Sequence, residues 1–159
     1  MPAVVVEPRG ASTASVLRSF FRSDQLRFGL MPLVARVLLI AEFVVAANGK
    51  ASDWSGQAAY MAAHGMGMIP PLLGAALVIE ALGSLSLLTG YRAREAAAVM
   101  FVYLGIVTVR LHDFWRQSGN AAGMNQTHFF KNLGIMGGLL MVATYGPGLW
   151  AIGGWRKQA

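Results

Sequence analysis

The chain has 159 residues, enough for one domain, of which 55% are hydrophobic and only 13% charged, with a mean hydropathy of +0.51. Its net charge is +6, but the basic residues flank apolar runs and no groove-reading motif accompanies them, which weighs against nucleic acid as a partner and points to membrane topology. There is no cysteine, so dithiol redox chemistry, iron–sulfur clusters, thiolate zinc sites and disulfides within the chain are excluded.

Residues 1–11 hold Pro2 and Pro8 and lack the apolar block of a secretory signal. In 12–28, Val16, Leu17, Phe20 and Phe21 recur at helical spacing among Arg18, Arg22 and Arg27. That pattern predicts a basic amphipathic helix on an anionic leaflet, with a solvated linker as the alternative. Residues 1–29 are thus read as a cytoplasmic tail and surface helix.

Four apolar spans are predicted over 30–48, 67–90, 95–112 and 125–145. The first carries Pro32 in its opening turn and the charges Arg36 and Glu42. Six residues apart, those two lie on different faces and each calls for a partner on another helix. Lys50 ends the span, where a lysine snorkels to the interface. Residues 51–65, with Asp53, Trp54, Tyr60 and His64, read as an interfacial loop.

The run from Met66 to Thr89 has 24 residues and one charge, Glu80. It is about 36 Å long as a helix, enough to cross a hydrocarbon core of about 30 Å. A lone carboxylate there costs at least about 2.5–3.5 kcal/mol unless a cation, water or a proton answers it. A turn with Arg92 and Arg94 leads to the third span, which has Arg110 near its far end. His112 to Arg116 is an aromatic, charged interface segment, and 117–124 reads as a loop. The fourth span holds Lys131 and Asn132 and a small-residue face at Gly134, Gly137 and Gly138. Gly146-Pro147-Gly148 breaks it. Leu149 to Trp155 reads as an interfacial foot, and 151–159 as a cytoplasmic tail.

With the N-terminus inside, eight basic residues flank the spans on the cytoplasmic side and three (Lys50, Arg116, Lys131) on the outer side. This puts both termini in the cytoplasm. At about 1.5 Å per residue, Arg36 lies about 9 Å and Glu80 about 15 Å from the inner ends of their spans, and Glu42 and Arg110 about 18 and 22 Å. Two buried pairs are therefore expected, Arg36–Glu80 and Glu42–Arg110, with swapped partners or a protonated Glu80 as the alternatives. They either hold helices in register or border a polar cavity. The histidines His64, His112 and His128 lack tight ligand spacing, so no metal site is assigned. Phe114, Trp115, Phe129 and Phe130 fit an aromatic girdle or a flat head-group site such as a quinone would need.

The sequence resembles the DoxX family of small bacterial membrane proteins over about 30–150. The residues that carry the likeness are Ala35-Arg36, Gly49-Lys50, Tyr60-Met61, Pro71, Glu80 with Gly83, Leu88 to Gly90, Arg94, His112 with Phe114, Phe130 to Leu133, Gly137 to Leu140 and Gly146-Pro147-Gly148. The resemblance implies an all-α, four-helix transmembrane bundle in a bacterial inner membrane, linked to redox chemistry. It places Arg36, Lys50, Glu80, His112, Lys131 and Asn132 in a shared polar site. Glu42 stands where that family has an apolar residue. The expected function is a redox-linked accessory subunit with a site for a quinone or another small lipophilic ligand, its partners being membrane lipid and other protein subunits. A non-catalytic scaffold or anchor is the alternative. A transporter is disfavoured by the few spans and the lack of an inverted repeat.

Overall fold

The structure is a computed structural model and describes Thr13 and residues 23–152. Most of the surface helix expected over 12–28, and the tail bearing Arg156 and Lys157, lie outside the described residues. Among those described, all regular structure is helical.

Helix α1 spans Met31–Ser52. A π-helical turn, Gln25–Leu30, leads into it without a break, so the first apolar segment runs from Gln25 to Ser52, longer at both ends than the expected 30–48. Pro32 accounts for the widened turn. Its ring crowds the carbonyl four residues back and it has no N–H to offer it. The carbonyl left over is that of Phe28, which accepts from the Leu149 N–H at 2.5 Å.

Residues 51–65 are not a loop throughout. They contain helix α2, Trp54–Ala63, capped by Asp53, whose Oδ1 accepts from the Gly56 N–H at 3.0 Å. Helix α3, Ile69–Thr89, carries Pro70 and Pro71 in its first turn, where no intrahelical bond is lost. It ends at Gly90, whose φ of 78° is the left-handed conformation that glycine adopts without a Cβ clash. Helix α4 is Ala93–Leu111, and a 3-10 turn, Phe114–Arg116, follows. Helix α5, Gly119–Tyr145, starts six residues before the expected 125. Within the expected loop, side chains bond back to helical carbonyls: Asn125 to Ala121 O and Thr127 to Gly123 O.

Among the described residues, three segments are long and apolar enough to cross a membrane: Gln25–Ser52, Ile69–Thr89 and Ala93–Arg116. The long helix α5 is not one of them. Gln126, His128, Lys131 and Asn132 dilute its apolar character.

The four long helices pack in the order α1–α3–α4–α5, and α5 returns to α1 along the sparsest of the four seams. The buried centre is made by Ile40, Phe43, Leu87, Ala97, Met100, Leu104, Leu139 and Val142. At the α3–α4 seam, a Cβ on Gly83 would run into Met100. Of the predicted glycine face on α5, only Gly138 makes a close approach, to Leu39. Gly134 and Gly137 face open space. Leu38, Val45, Leu82, Val102, Ile106 and Leu140 point outward and are more than half exposed. An apolar exterior of this extent suits hydrocarbon, not water.

Candidate functional site

Arg36 is fully buried. Its Nη1 donates to Leu87 O at 2.7 Å and Leu88 O at 3.1 Å, and its Nη2 to Trp150 O at 2.5 Å. The expected Arg36–Glu80 pair is therefore not formed. Arginine instead answers the end of α3, whose last four carbonyls have no partners within the helix. The Gly90 N–H takes Ser86 O, Arg36 takes Leu87 O and Leu88 O, and the Ile152 N–H takes Thr89 O. Residues 149–152 are thereby bound between α1 and α3, and the rest of the expected interfacial foot, 153–155, lies outside the described residues.

Glu80, 3% exposed in the middle of α3, is met by Lys50. The lysine Nζ lies 2.9 and 3.0 Å from the two carboxylate oxygens. The Tyr103 hydroxyl of α4 donates to the same carboxylate at 2.6 Å. Lys50 does not snorkel outward. Its ammonium sits 3.5 Å from Ala46 O, one turn back along α1. The expected Glu42–Arg110 pair is also absent: Glu42 pairs with Lys131 at 2.5 Å. The ring order explains the exchange, because α5 packs beside α1 while α4 lies across from it.

A cavity of about 540 Å³ opens between α1, α3, α4 and α5, with α2 over its end. Lys50, Glu80, His112, Lys131 and Asn132 all line it, as do Glu42 and Arg110. Arg36 does not. Apolar walls come from Phe43, Met61, Leu72, Leu73, Ile79 and Leu104. Asn132 donates to Thr108 Oγ1 at 3.0 Å, and Thr108 to Leu104 O at 2.6 Å, so the α4–α5 seam is closed by a satisfied polar pair.

At the mouth, a polar chain joins the loops. His112 Nδ1 lies 2.9 Å from Asn125 Oδ1, Asn125 donates to Gln117 at 2.7 Å, and Gln117 to Asp113 at 3.1 Å. Asp113 lies 3.8 Å from His64 Nε2. His112 stacks on His128 with ring centroids 5.2 Å apart. Tyr60 on α2 donates to Leu111 O at 2.9 Å, so α2 is tied over the end of α4. Burial pushes the Tyr60 hydroxyl above its usual pKa, with the Asp113 charge adding to the shift, so it remains a donor. The aromatic residues Phe114, Trp115, Phe129 and Phe130 pack edge-on and tilted against one another, and the cavity walls do not include them.

Sequence reasoning missed Tyr103 and the role of α2. Tyr103 did leave a signal: its hydroxyl lies mid-span, away from the interface, and a buried tyrosine needs a polar partner.

Apolar helices of bilayer length, with apolar outer faces and charges turned inward, define an α-helical integral membrane protein with an internal polar cavity. The chain belongs to the SURF4 family, whose model matches residues 69–158. It is 32% identical over 118 residues to inner membrane protein YphA of Escherichia coli K12, covering 73% of this chain and 83% of that protein. It is 35% identical over 121 residues to inner membrane protein YqjF of the same organism, covering 76% and 87%. A weaker likeness, 26% over 72 residues, links it to the ER-derived vesicles protein ERV29 of Saccharomyces cerevisiae, covering 45% of this chain and 23% of that protein. No solved structure matches the chain.

The family match overturns the DoxX resemblance. Glu80, Lys131-Asn132-Leu133, Gly137-Gly138 and Gly146-Pro147-Gly148, which carried that likeness, all fall within the SURF4 match. The redox link was implied by that resemblance, and nothing in these relatives supports it.

Proposed function

We propose that this chain is a membrane-embedded binding protein that holds one small lipophilic ligand, with an oxygen-bearing head group, in the cavity between its helices. The observation that carries the reading is the Lys50–Glu80–Tyr103 cluster. A carboxylate deep in a span is held by two donors on the cavity wall and not sealed in a helix seam. Mostly apolar walls with a few convergent polar groups are the usual character of a small-molecule site. Intramembrane ionisable residues that face a cavity mark functional positions more often than packing positions.

In this reading α5 is the fourth crossing, both termini are cytoplasmic, and the membrane is a bacterial inner membrane like that of YphA and YqjF. A quinone is one ligand the cavity chemistry accepts, since carbonyl oxygens take hydrogen bonds from the donors present.

Purification in mild detergent, with mass spectrometry of all lipid-soluble molecules and proteins that accompany the chain, tests the proposal. The expected result is one lipophilic molecule at close to one per chain. It is depleted in Tyr103→Phe and lost in Glu80→Gln. A stoichiometric protein partner with no small molecule would instead make the chain a scaffold or anchor subunit.

A further inference from the structure

A second cavity, of about 840 Å³, lies on the outer side of the α1–α5 seam. Leu38, Leu39, Ile135, Met141 and Tyr145 make it apolar, and Gly134 leaves room in its wall. Two side chains border both this groove and the internal cavity: Glu42 and Lys131. Their ion pair is the partition between the two spaces. It crosses the sparsest helix seam, and both side chains are over a third exposed, so little packing locks it in place.

The internal cavity also carries an uncompensated charge. Lys50 is taken by Glu80 and Lys131 by Glu42. Arg110, an exposed residue in the last turn of α4, lines the same cavity, and its side chain has no ion pair or hydrogen bond among the described residues. Three cations therefore face two carboxylates. A monoanion at Arg110 pairs this third cation, which a neutral ligand does not.

We infer that the two cavities form one site for a single-chain anionic amphiphile. Its head group rests at Arg110, and its chain leaves between α1 and α5, past Glu42–Lys131, into the outer groove. This inference rests on the internal cavity being a ligand site, and adds the ligand's class and its route. Both parts of such a molecule are matched: charge by charge inside, hydrocarbon by hydrocarbon outside. The Glu42–Lys131 pair is the element that parts to let it pass, so the ligand enters sideways from the bilayer.

The test uses the purified full-length chain in detergent and a sixteen-carbon fatty acid bearing a mid-chain diazirine and a terminal alkyne. After photolysis, peptide mass spectrometry locates the adducts. Adducts are expected to concentrate at Leu38, Leu39 and 134–145. They should fall at least fivefold in Arg110→Gln and in Gly134→Phe, and should be competed by palmitate but not by its methyl ester. Both variants are expected to fold, because Arg110 has no partner to lose and a Cβ at Gly134 meets nothing within 4 Å. Even labelling of outward residues such as Val102 and Val109, unchanged in Arg110→Gln, overturns the inference: the probe then reports only the lipid-facing surface. Adducts confined to Leu72, Leu73 and Ile79, and lost in Arg110→Gln, overturn the groove while leaving the cavity a ligand site. Absence of saturable labelling overturns the inference, and co-purification then decides separately whether the cavity binds anything.

Discussion

Side chains on a helix lean toward that helix's N-terminus, and this lean decides which buried charges meet. Arg36 stands near the start of α1, so it leans out of the bilayer centre and reaches the end of α3 at Leu87 and Leu88. Lys50 stands near the end of the same helix and leans back inward. Glu80, on the antiparallel α3, leans to meet it. Depths counted from Cα positions alone put Arg36 beside Glu80, and that is where the sequence reading failed. That Glu80 needed a cation was legible; which cation required the lean and the helix order. The same holds for Glu42, whose need for a partner was plain but whose partner depended on α5 lying beside α1. Removing one member of a buried pair leaves the other uncompensated, at about 3–5 kcal/mol. Lys50→Met and Glu80→Gln are therefore each expected to lower stability in detergent by several kcal/mol. The double variant should recover much of the loss, because no lone charge remains. Urea or SDS titration followed by tryptophan fluorescence measures this, and strictly additive losses would show the two residues to be uncoupled.

At the scale of elements, the ends of the helices hold the molecule together as much as their faces do. Pro32 frees the Phe28 carbonyl, and the Leu149 N–H takes it. The α3 terminus gives its carbonyls to Gly90, Arg36 and Ile152. Proline and glycine positions were visible in the sequence as punctuation, and Gly90 and Gly146 do stand directly after the ends of α3 and α5. What they did not reveal was that the freed backbone groups would bind a segment over sixty residues away. The helix α2 was signalled by Asp53 as a cap ahead of an alanine-rich run, but Gly56, Trp54 and Tyr60 drew it into an interfacial loop. Gly90 concentrates the dependence: its φ is 78°, and a Cβ there would meet the backbone of Ala151 and crowd Arg36. Gly90→Ala is expected to cost about 1–3 kcal/mol, from the left-handed backbone and the displaced segment. Gly134→Ala, in mid-helix with free space around it, should instead gain about 0.5–1 kcal/mol. Thermal unfolding of the two variants side by side separates these effects. Equal and small shifts would mean that the 149–152 segment does not depend on Gly90.

The whole molecule turns on how many times it crosses the bilayer. Among the described residues three segments qualify by length and apolarity, and α5 does not. Yet α5 has 27 residues, about 40 Å of helix, which exceeds the hydrocarbon thickness. Its polar residues Lys131 and Asn132 bond to Glu42 and Thr108 on neighbouring helices. Its start is tied to the mouth through Asn125 and His112. The residues after its end are tied to Phe28 and Thr89, at the opposite ends of α1 and α3. In the reading proposed above, a helix fastened at both ends in this way is the fourth crossing. In that reading the basic residues that flank the spans fall chiefly on the side of the termini, in keeping with the positive-inside rule. Because the chain lacks cysteine, single introduced thiols report topology without background. Ser118→Cys should react with a membrane-impermeant maleimide in intact spheroplasts. Tyr91→Cys and Gln158→Cys should react only after lysis. If Gln158→Cys instead labels together with Ser118→Cys, α5 does not cross, and the cavity it helps to wall would open to the outer aqueous face. A lipophilic ligand entering from the bilayer between α1 and α5 would then have no hydrocarbon beside it to come from.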